Sequence, residues 1–295
     1  MTWVQTAIDA TALGAQYALY ALGIAMLFGI MNLINFAQGE YIMAAQYAIF
    51  IFIGYNLGFP VVIAISILVA ISLALVTERV AFRPIRGASP ATLLITSFAV
   101  SYLLQNIATL SFTALPQTFN IAPELNSAFE VRGVFIVKLS LVTIGLVSVL
   151  FASLAAFLRW TSIGAEMRAA AEDFEMARIM GVRANRVVGV AFAISGLLAA
   201  AAAFLLAVQT GYVAPTTGLT PVLYAFIATI LGGVGSLIGP VIAGFFLGSL
   251  TVVLQVTLPQ SWLPYRDALV FAGVFIVLVL RPQGLVVVRA RMVRV

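Results

Sequence analysis

Apolar residues fill the chain in runs that leave few polar positions on any helical face. The runs lie near Thr11–Met31, Glu40–Gly58, Val61–Thr77, Ala91–Phe112, Val134–Leu158, Val187–Val208, Leu219–Leu258 and Ala268–Leu280. A helix that is apolar all round belongs in a protein interior or in lipid. As a helix, ~20 apolar residues cross a hydrocarbon core about 30 Å thick. The seventh run is 40 residues long and contains "LGGVGSLIGP", which predicts two helices or one broken helix. The pattern predicts an all-α, polytopic bundle with eight or nine crossings and a single domain over residues 1–295.

Composition supports this reading. Of 295 residues, 63% are apolar and only 8% charged, against about 25% charged in a soluble domain. Most of the exterior must therefore face something other than water. The first ten residues, "MTWVQTAIDA", lack the positive stretch of a secretory signal, so no cleavage is expected. Histidine and cysteine are absent, which excludes disulfides, thiolate or imidazole metal ligands and histidine-based triads.

The positive charge is a topology signal. Arg79, Arg83 and Arg86 flank one loop, Arg159, Arg168, Arg178, Arg183 and Arg186 occupy another, and Arg281, Arg289, Arg291 and Arg294 lie in the tail. These are twelve of the fifteen basic residues. Basic loops stay cytoplasmic, so both loops and the C-terminus are expected inside. Residues 113–133 are then external, and counting back puts the N-terminus outside. Anionic lipid suits these arginines; no nucleic-acid partner is expected.

Glu40 is the only charge between Ala10 and Gly58, and two accounts fit it. In one, Asn35 caps a helix, Gln38 sits where a capping-box partner would, and Glu40 gains about 0.3–1 kcal/mol from the helix dipole. In the other, the same turn is a helix break at membrane depth. A buried acid there costs on the order of 3 kcal/mol and points into the bundle or a water-filled path. Asn35, Gln38 and Glu40 would then hydrogen-bond a passing solute, with Glu40 favouring an ammonium group.

The glycines of "LGGVGSLIGP" do not form a phosphate loop. Such a loop needs Gly-x-x-x-x-Gly-Lys-Ser/Thr, and the only lysine in the chain is Lys138. Gly232, Gly233, Gly235 and Gly239 suit close helix packing or a helix break, with Pro240 starting the next helix.

The most polar stretch runs from Arg159 to Arg186. Ala169, Ala170, Ala171 and Ala177 favour helix, and Arg168/Glu172 and Glu175/Arg178 are spaced to pair along it. Gly181 is placed for a left-handed cap. Phe174, Met176, Ile179 and Met180 supply apolar anchors. A helix lying on the membrane and a helix seated in a partner's groove both fit, but Glu172, Asp173 and Glu175 would be repelled by anionic headgroups.

Within that stretch "EMARIMG", Glu175–Gly181, resembles the Glu-Ala-Ala-x-x-x-Gly loop of permease subunits of bacterial ABC importers. Met176 replaces the first alanine and the downstream Ile-x-Leu-Pro is missing. "RAAAEDFEMARIMGV" looks like the form found in the branched-chain amino acid family. "GIMNLINFAQGEYIMAAQY", "ERVAFRPIR", "LGGVGSLIGPVIAGFFLG" and "YRDALVFAGVFIVLVLRPQGL" are similar to further segments of that family in the same order.

The resemblance implies a multi-pass subunit of the bacterial inner membrane. Two ATPase subunits would dock on Glu172, Asp173, Phe174, Glu175, Met176, Ala177, Met180 and Gly181. A homologous second permease or a second copy would complete the pathway, and an extracytoplasmic solute-binding protein would deliver substrate. No cofactor would bind this chain, ATP and Mg would be used by the partner subunits, and no chemistry would be done on the solute. Cargo would be leucine, isoleucine or valine, with other amino acids, urea or short amides as alternatives. A self-sufficient channel or secondary transporter, needing no ATPase, is the rival class. A membrane enzyme would need catalytic groups converging at one depth, and ionisable residues are scarce in the helices.

Overall fold

The computed structural model describes residues 3–31, 33–55, 57–131, 134–233, 236, 238–281 and 284–286. Helix α1 (Trp3–Met31) is followed by an irregular segment, then α2 (Gln38–Ile53) and α3 (Phe59–Thr77). Helix α3 runs on through a π-helical turn, Glu78–Phe82, and a 3-10 turn, Arg83–Ile85. Helix α4 (Pro90–Phe112) starts where Ser89 Oγ accepts from Thr92 N at 3.3 Å, with proline in the first turn.

A short strand β1 (Gln117–Thr118) and a hairpin of β2 (Ala128–Val131) and β3 (Val134–Val137) precede α5 (Lys138–Trp160). The polar stretch forms α6 (Ser162–Glu172) and α7 (Phe174–Ile179). Then come α8 (Ala184–Thr210), β4 (Tyr212–Val213) antiparallel to β1, α9 (Leu219–Gly232), α10 (Ile238–Thr257) and α11 (Arg266–Leu280).

Among the described residues, seven helices are long and apolar enough to cross a membrane: α1, α3, α4, α5, α8, α10 and α11, with α3 and α11 counted together with their adjoining turns. The 40-residue run divides, as predicted, into α9 and α10. Helices α2 and α9 have 16 and 14 residues. At 1.5 Å per residue they reach roughly 24 and 21 Å, short of a full crossing. Both start inside the bundle after an irregular segment.

The order long helix, break, short helix, long helix thus occurs twice, as α1–α2–α3 and α8–α9–α10. The two copies run in opposite directions. Ser195 Oγ donates to Gly23 O at 3.2 Å and Gln16 Nε2 to Gln209 Oε1 at 3.2 Å, so α1 and α8 are antiparallel. Inverted repeats of this kind are a common transporter architecture; sequence similarity between these two halves is not apparent by eye.

The arginine-bearing loops gather at one end, where Arg86 Nη1 donates to Asn185 Oδ1 at 2.6 Å. The β1–β4 pair lies at the other end. So does the start of α1, because Ser140 Oγ donates to Asp9 Oδ1 at 3.4 Å.

Small residues let α1 meet α10. A Cβ at Gly248 would lie 2.6 Å from Gly14 Cα, and one at Gly244 would lie 2.8 Å from Ala18 Cα. Backbones this close gain dispersion contacts that lipid tails cannot supply. Helix α2 is enclosed, with Glu40, Tyr41, Ala45, Gln46 and Ile49 all fully buried. Helices α4, α5 and α11 instead turn Ile95, Leu103, Val149 and Phe275 outward, as hydrocarbon-facing helices do.

Gly248→Leu is therefore expected to abolish the monodisperse peak of the detergent-solubilised protein in size-exclusion chromatography. Gly273→Ala, where a Cβ would meet only Leu250 Cδ2 at 3.6 Å, should leave that peak unchanged.

Candidate functional site

Between α1 and α2 the chain turns within the protein. Asn35 is fully buried. Its Oδ1 accepts from Ala37 N at 3.1 Å, and its backbone oxygen accepts from Gln38 N at 3.2 Å. Asn35 does not cap α2. The residue before the helix is Ala37, and no side chain caps it. The amide of Asn35 instead closes the turn two residues earlier, and Gln38 is drawn across to α8 rather than back toward Asn35. Gln38 Nε2 donates to Ser195 O at 3.1 Å, and Ser195 Oγ donates to Gln38 Oε1.

Glu40 lies in the first turn of α2, also fully buried. Its Oε1 accepts from Ser101 Oγ and Gln105 Nε2, each at 2.8 Å. Its Oε2 is buried without a partner among the described residues. Ser101 sits midway along α4 and Ser195 near the middle of α8. The turn carrying Gln38 and Glu40 is thus a break inside the bundle rather than a loop at its end. Of the two accounts of Glu40, this geometry favours the break.

The second break meets the first. A Cβ on Gly39 would run into the carbonyl of Gly218, and one on Gly218 into that of Gly39. The amino ends of α2 and α9 therefore abut through bare backbone. Each helix start carries a partial positive charge of roughly half an electron, so the Glu40 carboxyl sits in a field that favours negative charge.

Helix α4 adds a polar stripe. Ser101, Tyr102, Gln105, Asn106 and Thr109 recur at helical spacing on one face. Ser101 and Gln105 turn inward to Glu40, while Tyr102 and Asn106 are exposed. Polar side chains on a membrane helix face a water-filled path or another helix rather than lipid.

A chain of contacts joins this break to the arginine-bearing end. Asn35 Nδ2 donates to Tyr41 OH at 3.2 Å, and Tyr41 OH bonds Thr77 Oγ1 at 2.6 Å. The next residue, Glu78, pairs with Arg86, which bonds Asn185 at the start of α8.

The loop preceding α8 has a built surface. Asp173 interrupts the predicted continuous helix and caps α7, its Oδ1 accepting from Met176 N at 2.9 Å. Gly181 takes φ +93°, and Val182 N bonds Ala177 O at 3.0 Å, the left-handed cap the sequence predicted. Ala177 is buried and Phe174 half-buried, while Met176, Ile179 and Met180 are 54%, 77% and 79% exposed. Glu172, Asp173 and Glu175 are exposed beside them. Neither predicted pair, Arg168/Glu172 or Glu175/Arg178, is among the ion pairs of the described residues, so those charges stay open to solvent.

In the glycine-rich segment Gly232 packs backbone to backbone on Gly239, and Gly233 takes φ +100° after α9. Pro240 lies in the first turn of α10. Gly235, Arg289, Arg291 and Arg294 lie outside the described residues. Ser195, Tyr41, Thr77 and the α4 stripe were not singled out from the sequence. The four-residue spacing of Ser101, Gln105 and Thr109 was the readable signal for the stripe.

Residues 6–280 match the family described as branched-chain amino acid transport system / permease component. The high-affinity branched-chain amino acid transport system permease protein BraD of Pseudomonas aeruginosa is 31% identical over 295 residues, covering 96% of this chain and 95% of that protein. The LivH permease protein of the corresponding Escherichia coli K12 system is 32% identical, again over 96% and 95%. The autoinducer 2 import system permease protein LsrC of Klebsiella pneumoniae is 34% identical over 123 residues, 39% of this chain and 36% of that protein.

Replacing Glu40 separates its bonds from its charge. Glu40→Gln keeps an oxygen for Ser101 and Gln105 and should shift the melting temperature of the solubilised protein little. Glu40→Leu leaves both donors unpaired, at a cost of about 1–3 kcal/mol, and should lower it by several degrees in a thermal unfolding assay.

Proposed function

Because the chain belongs to the branched-chain amino acid transport system permease family, we propose that it is the membrane subunit of an ATP-driven importer taking up leucine, isoleucine and valine by alternating access. The observation that carries the pathway is the Glu40 break: a buried carboxyl with one oxygen bonded and one free, beneath a polar stripe on α4. Tyr102 and Asn106 are where a second permease, homologous or identical, would close the path, and water or solute rather than lipid would lie against them. Glu40 would attract the ammonium group of the cargo. Asn35 and Gln38 hold the break in shape, since each already spends its side chain on protein partners.

The energy source enters at α7. Met176, Ile179 and Met180 form an apolar face in an otherwise polar loop, and the acids beside them suit a groove with basic rims on an ATPase subunit. Two such ATPases, each using ATP and Mg, would grip the two permeases, and this chain would hold no cofactor. A self-sufficient channel would have no use for an outward apolar face in this loop. From α7 the displacement has a continuous route to the break through Asn185, Arg86, Glu78, Thr77, Tyr41 and Asn35. The arginine-bearing end would be cytoplasmic, in the inner membrane, and an extracytoplasmic solute-binding protein would dock at the opposite end.

Two measurements test this. In proteoliposomes of the complete transporter, Glu40→Gln should cut leucine uptake at least tenfold while insertion and subunit co-purification stay normal; unchanged uptake kinetics would return Glu40 to a helix-stabilising role. Met180→Glu, at an exposed position, should leave the permease folded yet strip the ATPase from it in affinity co-purification. Full retention of the ATPase would remove α7 as the docking surface.

A further inference from the structure

A second polar feature lies apart from Glu40. A cavity of about 400 Å³ opens between α1, α8, α9 and α10, toward the end opposite the arginine loops. That size is at the lower end of the range that small-molecule sites occupy. Its walls include Gln16, Tyr17, Tyr20, Tyr224 and Thr251, all less than 10% exposed. Gln16 Nε2 donates to Tyr20 OH at 2.5 Å, and Thr251 Oγ1 donates to Leu247 O at 2.8 Å. Buried amides and hydroxyls in a membrane bundle are costly unless something polar meets them; here Gln16 and Thr251 are met by protein groups that leave a polar wall facing the cavity. A second cavity, about 330 Å³ between α1, α5 and α10, shows the contrast. Its lining is mostly apolar, with Ile144, Val147, Phe151 and Val241 among it and only the hydroxyls of Thr11 and Ser148 as polar side chains.

The chemistry of the lining narrows the occupant. Arg266 is the only charged residue among the lining residues. It stands at the mouth, donating to Gln255 Oε1 at 3.0 Å and to Asp267 Oδ1 at 3.0 Å. The Arg266 side chain is 31% exposed and that of Asp267 52%, so a carboxylate from outside can compete for the guanidinium. The tyrosine rings, with Tyr17 and Tyr224 centroids 4.4 Å apart, present faces that suit both an apolar side chain and an ammonium group. Amide and hydroxyl oxygens would take the ammonium protons. Thr216 and Thr217 close the floor, and the next residue is Gly218, whose backbone abuts Gly39.

We propose that this cavity is an outer reception site for a zwitterionic amino acid, held within a single permease chain before it reaches Glu40. Arg266 takes the α-carboxylate, and the Gly39–Gly218 contact is the partition between the two sites. The inference rests on the amino acid permease reading and adds to it a position for the cargo and a residue that selects for its carboxylate.

The test uses the assembled transporter in nanodiscs without nucleotide or solute-binding protein, and radiolabelled leucine with leucinamide as competitor. Wild type should bind leucine saturably, and leucinamide, lacking the carboxylate, should compete at least tenfold more weakly. Arg266→Gln should weaken leucine at least tenfold and lose the preference for leucine over leucinamide. Gln16→Leu should weaken both compounds. Both variants are to be monodisperse with wild-type melting temperatures before they are scored. No saturable binding by wild type, equal competition by leucinamide, or unchanged binding in both variants would each overturn the site. Failure of the wild-type complex to import leucine with its binding protein and ATP, while the cavity still binds leucine, would instead sink the transporter reading.

Discussion

Hydrocarbon offers no partner for an unpaired peptide group, and this constraint decides where the chain is permitted to leave helix. It does so inside the bundle at two places, and at both a side chain completes the local bonding. Asn35 Oδ1 takes the amide of Ala37 at the first break. At the second, Thr217 Oγ1 takes the amide of Ala214 at 2.7 Å, and its hydroxyl returns to Ala214 O at 2.8 Å. With each break sealed by its own turn, the bare backbones of Gly39 and Gly218 can touch. The amino ends of two short helices then meet beside the one buried acid of α2.

A junction built this way ties each break to the long helices around it, while the two breaks touch each other at bare backbone. Gln38 ties the first break to α8 through Ser195, and Tyr41 ties it to α3 through Thr77. Across the Gly39–Gly218 contact no side chain of either residue intervenes. Packed elements that meet along a narrow backbone contact are the usual material of two-state transitions. Pulling on α3 from its π-helical end would move Tyr41 and Asn35 together. The π-helical turn at Glu78–Phe82 is itself a geometry found often at functional positions, and here it lies between the break and the Arg86–Asn185 bond.

Much of this was readable in the residues, and the unread part has a physical cause. The membrane helices followed from apolar run length, and the split of the run after Leu219 from its glycines. The left-handed turn at Gly181 followed from the need of a helix end. The expected orientation rested on arginines alone; the Ser140–Asp9 bond places the start of α1 at the end opposite the arginine-bearing loops. The cap at Asn35 was misread because local spacing cannot reveal that Gln38 has a partner 157 positions away on α8. The inverted repeat was invisible because apolar sequence in lipid is weakly constrained, so two copies keep their geometry while their residues drift. Helices α6 and α7 were read as one because alanine propensity outweighed Asp173, whose side chain found a better use at the start of α7.

The remaining question is why one acid suffices. An importer of zwitterions must offer an attraction strong enough to admit the cargo and weak enough to release it. A fixed ion pair in hydrocarbon would hold too tightly, since a pair stripped of water loses the competition that loosens it. Glu40 avoids this by sharing one oxygen with two neutral donors, Ser101 and Gln105, which compete with any cation for the carboxyl. At the proposed reception cavity Asp267, paired with Arg266, would play the same part. In both places the charge that would greet the cargo is already partly occupied. On the proposed reading, the difference between held and released would rest on rearranging a few hydrogen bonds, a scale that closure of a docked ATPase could drive.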